Sequence, residues 1–199
     1  TTETGKPATS ESLPSLLVAN KGGNVMSASL ESLASLVSQE AGGEFDESLR
    51  KIKHCVNQLT DGQVWWRPSE SMNSIANLLL HLCGNVGQWV VSGVGGIADT
   101  RQRQQEFDDR SATPKEELLQ QIESVVADAK RVLLETSAEE LLRPRHVQGN
   151  EVTAVRAIIH SLAHFQGHVQ EIVHMTRIQL GESYEFDFVA PVAKSEDDG

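Results

Sequence analysis

Apolar residues recur at helical spacing in four long stretches of the chain. The first, from about Ser27 to Leu59, carries Leu30, Leu33, Leu36 and Val37 in one half and Leu49, Ile52, Val56 and Leu59 in the other. Gly42-Gly43 is placed to break or bend it. The second runs from about Asn73 to Val91 through Ile75, Leu78, Leu79, Leu82, Val86, Trp89 and Val90, and stops at Gly93, Gly95 and Gly96. Thr113-Pro114-Lys115-Glu116 supplies a capping threonine, a proline at the first helical position and a glutamate after it, which starts a third helix reaching about Glu135. Ser137-Ala138-Glu139-Glu140 repeats the cap for a short helix that Arg143-Pro144-Arg145 ends. The fourth long helix spans about Thr153 to Leu180, with Gly181 as its left-handed cap. No run alternates with period two, apart from a weak hint at Tyr184 to Val189.

These elements predict an all-α fold: one antiparallel four-helix bundle over residues 27–190. A flexible Ser/Thr/Gly/Pro-rich arm, residues 1–26, precedes it, and an acidic tail, residues 191–199, follows.

Charge narrows the partners. A formal net charge of −11, from 17 Lys plus Arg against 28 Asp plus Glu, repels a phosphate backbone and speaks against nucleic acid. Arg101, Arg103 and Arg110 are interleaved with Glu106, Asp108 and Asp109, which reads as a solvated loop. No run reaches the roughly 18 apolar residues of a membrane span, and Thr1 to Gly5 lack the blocks of a signal peptide. The expectation is a cytoplasmic protein without a membrane partner. Cys55 and Cys83 belong to no Cys-x-x-Cys pair and read as two buried thiols.

The chemistry concentrates in histidines. His160, His164 and His168 stand four residues apart, which stacks them turn over turn on the fourth helix. Val155, Ile158, Leu162, Phe165, Val169 and Ile172 form the apolar seam there; the histidines and Glu171 border it, and Arg156, Gln170 and His174 face away. A pair at i and i+4 can aim two imidazole nitrogens at one ion, but a third ligand must come from another helix. His81, inside the apolar run Leu78-Leu79-Leu80-His81-Leu82, is the candidate, with Asn77, Asn85 and Gln88 on the same side to orient it or touch a bound molecule. The plainer alternative, histidines satisfied within the core, stays open at this point. Trp65, Trp66 and Trp89 read as packing anchors and Arg67 as exposed. Cys83 points to another side of its helix, against a nucleophilic role.

Leu80-His81-Leu82 and His164-Phe165-Gln166-Gly167-His168-Val169-Gln170-Glu171-Ile172 resemble the spaced histidine triad of the DinB/YfiT-like metal-dependent proteins. Gln63-Val64-Trp65-Trp66-Arg67-Pro68, the stretch Ser74 to Asn85 and His160-Ser161-Leu162-Ala163-His164-Phe165 are similar to one branch of them, known mainly as a domain of unknown function. The resemblance covers roughly Glu44 to Val189. It implies a four-helix bundle, often a homodimer, in which His81, His164 and His168 hold nickel, zinc or a similar divalent ion with coordination positions left open, and His160 stands beside them. Many relatives follow the last histidine with Arg-Gly-Gln, where this chain has Val169-Gln170-Glu171. Relatives that transfer or isomerise with bacillithiol or mycothiol imply a metal-dependent transferase that adds a low-molecular-weight thiol to a small electrophilic substrate. A metal-dependent hydrolase and a non-catalytic metal-binding, ligand-binding or stress-related bundle are the alternatives.

Overall fold

Along the first helix, small and apolar residues recur every three or four positions, and this row is the one the fold buries. In the structure, a computed structural model that describes residues 21–187 and the side chains of residues 26–187, α1 (Lys21–Asn57) turns Ala34, Ala41, Phe45, Ile52 and Val56 inward. Leu30, Leu33, Leu36 and Val37, expected on the seam, are exposed instead, because the small Ala34, Ser38 and Ala41 make the closer approach. The helix starts at Lys21, inside the expected arm; residues 1–20 and the acidic tail lie outside the described residues. Gly42-Gly43 does not break α1. A helical glycine costs about 1 kcal/mol relative to alanine, less than burying the neighbouring Phe45 returns.

Thr60 and Ser74 each form a reciprocal capping box, with Gln63 and Asn77, and so start α2 (Asp61–Trp65) and α3 (Ile75–Val86). A π-helical turn (Gly87–Ser92) extends α3. Then come α4 (Arg103–Asp108), α5 (Lys115–Glu135), α6 (Ala138–Leu142), the strands β1 (Pro144–Val147) and β2 (Asn150–Thr153), and α7 (Ala154–Leu180), closed by a 3-10 turn at Gly181–Ser183.

Cross-contacts give the helix directions. Lys115 Nζ donates to the Leu59 carbonyl (2.6 Å), and Lys53 and Asp46 of α1 pair with Glu123 and Lys130 of α5, so these two helices are antiparallel. Phe45 meets Phe165 edge to face at 5.4 Å and Cys55 meets Tyr184, so α1 and α7 run parallel. His81 faces His164 while Asn85 faces Ser161, so α3 opposes α7. It follows that α3 and α5 are parallel, a departure from the all-antiparallel expectation. The connection over residues 93–114 must therefore travel the length of the bundle, and it carries α4 on the way.

Two further differences concern extended backbone. Pro144 to Thr153, expected as loop, is an antiparallel hairpin with Val147 opposite Asn150; its two-residue turn has positive φ at both Gln148 (52°) and Gly149 (79°), the geometry that suits strand twist. Tyr184 to Asp187, the described part of the suspected strand, has no strand partner among the described residues and lies along α1 instead, where the Glu185 carbonyl meets His54 Nε2 at 2.6 Å. Among the described residues the fold is all-α apart from this hairpin. No helix among the described residues is long and apolar enough to cross a membrane.

Candidate metal centre

On α3, four-residue spacing puts Asn77, His81 and Asn85 on one buried stripe among Leu78, Leu79 and Leu82. On α7, Phe165 and Val169 are buried, which leaves His164 and His168 at the edge of the core, half-buried and facing α3. One nitrogen from each of His81, His164 and His168 lies within 4.8 Å of the others. His81 Nε2 and His164 Nε2 are 2.8 Å apart, and the three rings meet nearly perpendicular, at 78°, 86° and 89°.

The outward nitrogens of two rings are held by carboxylates. His168 Nδ1 is 2.8 Å from Glu171 Oε2, one helical turn on. His81 Nδ1 is 2.9 Å from Oε2 of Glu106, which comes from α4. Arg101 clamps that carboxylate with both Nε (2.7 Å to Oε1) and Nη2 (2.9 Å to Oε2), while its Nη1 donates to Gln88 Oε1, and Gln88 in turn donates to Asp99. Asn77 Nδ2 donates to the backbone carbonyl of Glu106 (2.9 Å) and so fastens the loop itself. Asn85 accepts from Ser161, and the His160 ring lies against Trp89 at 3.9 Å, tilted by 34°, one turn from His164.

Arg101 and Glu106 are therefore not a solvated loop: their side chains are 4% and 10% exposed. Interleaved opposite charges look the same in sequence whether they meet over water or over a buried imidazole, and no spacing rule links them to His81. Arg67, expected to be exposed, is half-buried and donates to Asn77 Oδ1. Of the tryptophans, Trp89 is buried and Trp65 donates to the Thr113 carbonyl, but Trp66 is exposed.

Burial lowers the His164 imidazole to about 4, helped by the neighbouring His168 and His81, so this ring is neutral at pH 7 with a lone pair to offer. Burial alone would raise the Glu106 carboxyl; hydrogen bonds from Arg101 and His81 outweigh it and hold the group ionised. Cys83 is pushed up to about 12 by burial, with the Glu106 charge adding to it.

The cluster suits a divalent ion. Metal–imidazole bonds of about 2.0–2.1 Å set two ligands at a right angle about 3 Å apart, close to the observed Nε2 to Nε2 separation. Carboxylates at Nδ1 direct the Nε2 lone pairs of His81 and His168 to the centre, the usual arrangement around a metal-bound histidine. An all-imidazole set fits zinc, nickel, copper or iron alike.

Fold and site together define a helical protein with a three-histidine cluster able to hold a divalent ion. The chain belongs to the family described as Protein of unknown function (DUF1572), whose profile matches residues 33–191. Its fold is similar to that in the crystal structure of the conserved protein of locus from Enterococcus faecalis, with a TM-score of 0.61 and 15% identity over 72% of this chain and 97% of that one. No curated protein matches.

Proposed function

We propose that this chain binds one divalent metal ion through His81, His164 and His168 and uses it to activate a small nucleophile, best read as a low-molecular-weight thiol transferred to a small electrophile. The convergence of three imidazole nitrogens within 4.8 Å carries the metal reading. His164 and His168 are only half-buried, so part of each ring is within reach of solvent and of a small ligand. The resemblance to DinB/YfiT-like proteins supports the thiol, and the chain's own Cys83, a protonated thiol at neutral pH, does not supply it.

Bound there, the ion would supply Lewis-acid chemistry, lowering the pKa of a coordinated thiol. The protein's own part is positional. Three neutral imidazoles would leave the positive charge undiminished, Glu106 and Glu171 stand beside Nδ1 of His81 and His168 to accept a proton there, and Phe107, 4.8 Å from the His81 ring, covers that ring. Elemental analysis of the purified protein beside the His81→Ala and His168→Ala variants tests the reading. About one metal per chain, lost in both variants, is expected; a metal-free protein that also refuses zinc, nickel and cobalt on reconstitution sinks it. With metal in place, consumption of a thiol by a model electrophile separates transfer from hydrolysis.

A further inference from the structure

A ligand histidine must present the right nitrogen, and the group bonded to its other nitrogen decides which one that is. For His81 this group is not on its own helix. Glu106 reaches it from the crossover connection, fixed at the carboxylate by Arg101 and at the backbone by Asn77. To reach Nδ1 the carboxylate passes directly over the Cα of Gly84. A Cβ at Gly84 would overlap Glu106 Oε1 and stand 2.8 Å from Arg101 Nε, and both are side-chain atoms rather than backbone. Gly84 sits inside α3 with no turn to make, in a place where alanine would suit the helix better. Its missing side chain is the passage for the carboxylate.

The geometry points to Glu106 as a positioning residue for the metal centre, delivered by Arg101 across the bare face of Gly84 so that His81 offers Nε2 inward. The pair also ties the crossover between the parallel helices to the ion: the segment that makes this topology possible completes the site. This inference rests on the metal reading above. The test is zinc affinity, measured by competition with a chromophoric chelator, together with the melting temperature of the metal-free protein, for wild type, Gly84→Ala and Glu106→Gln. Both variants are expected to bind zinc about 10–100-fold more weakly. Metal-free Gly84→Ala should melt within a few degrees of wild type, since only side-chain ends are displaced and the helix gains a better former. A purely structural clip would show the reverse: lowered melting with zinc affinity unchanged. Wild-type affinity in both variants overturns the positioning role and leaves the metal site standing, whereas a wild-type protein that binds no zinc removes the site and this role together. If Gly84→Ala fails to fold, Glu106→Gln, which keeps the shape of the side chain, decides alone.

Discussion

The Nε2 atoms of His81 and His164 stand 2.8 Å apart although the residues are separated by 83 positions in the chain. Two imidazoles at that distance need a proton or a cation between them. Replacing one should therefore destroy the ion site without touching the seam that holds α7 in place, where Phe165, Val169 and Ile172 are fully buried. His164→Ala is expected to weaken zinc binding by more than about 100-fold, measured by titration. Its far-ultraviolet circular dichroism should match that of wild type. Loss of helicity instead would make the histidine a core residue.

The depressed His164 also has a thermodynamic signature in the metal-free protein. With a folded value of about 4 against 6.5 for the ordinary imidazole, the unfolded chain binds a proton between those values that the folded one does not. The contribution of this residue is complete above pH 6.5 and is lost as the pH falls through about 4. The urea midpoint should decline across that window, and less steeply in His164→Gln. Equal slopes for the two proteins would assign the decline to other groups.

Tyr184 is the one tyrosine of the chain, so its ionisation can be read without ambiguity. Burial raises the phenol to about 12, with the nearby Cys55 thiol adding to the effect. Near-ultraviolet titration should find it there in the native protein and near 10 in urea. Being raised on folding, the group stabilises the fold fully below pH 10 and ceases to do so as the pH climbs through 12. A native value near 10 would mean that the 184–187 segment is not packed on α1 in solution.

Phe45 and Phe165 are both fully buried and meet edge to face between α1 and α7. Phe45→Ala should cost about 3–5 kcal/mol in chemical unfolding, the range for emptying an aromatic core site. Ile159→Ala, on the exposed side of α7, should stay within about 0.5 kcal/mol of wild type.

Periodicity located the four long helices because each has a continuous apolar face, and four-residue spacing placed His164 and His168 on one side of α7. His81 stood out as an ionisable residue in a leucine run. What periodicity could not reach depends on contacts between distant segments. The exposed Leu30, Leu33 and Leu36 look like seam residues until Ala34 and Ala41 are seen to make the closer approach. Glu106 lies among ordinary loop charges until the crossover is placed, and nothing in the sequence sets Gly84 apart from other helical glycines until the carboxylate above it is seen. The hairpin was hidden because Gln148-Gly149 is not one of the favoured two-residue turn pairs, although both adopt positive φ, and strands of four residues are too short for alternation to register.

Because α3 and α7 lie so far apart in the chain, the histidine cluster has a birth time. His81 leaves the ribosome 83 residues before His164, roughly 4–17 s at usual elongation rates. In that interval the nascent chain can offer a metal only one of the three imidazoles. An ion held by the cluster would thus be captured only once the last long helix has been made, so its loading would report that α3 and α7 have met.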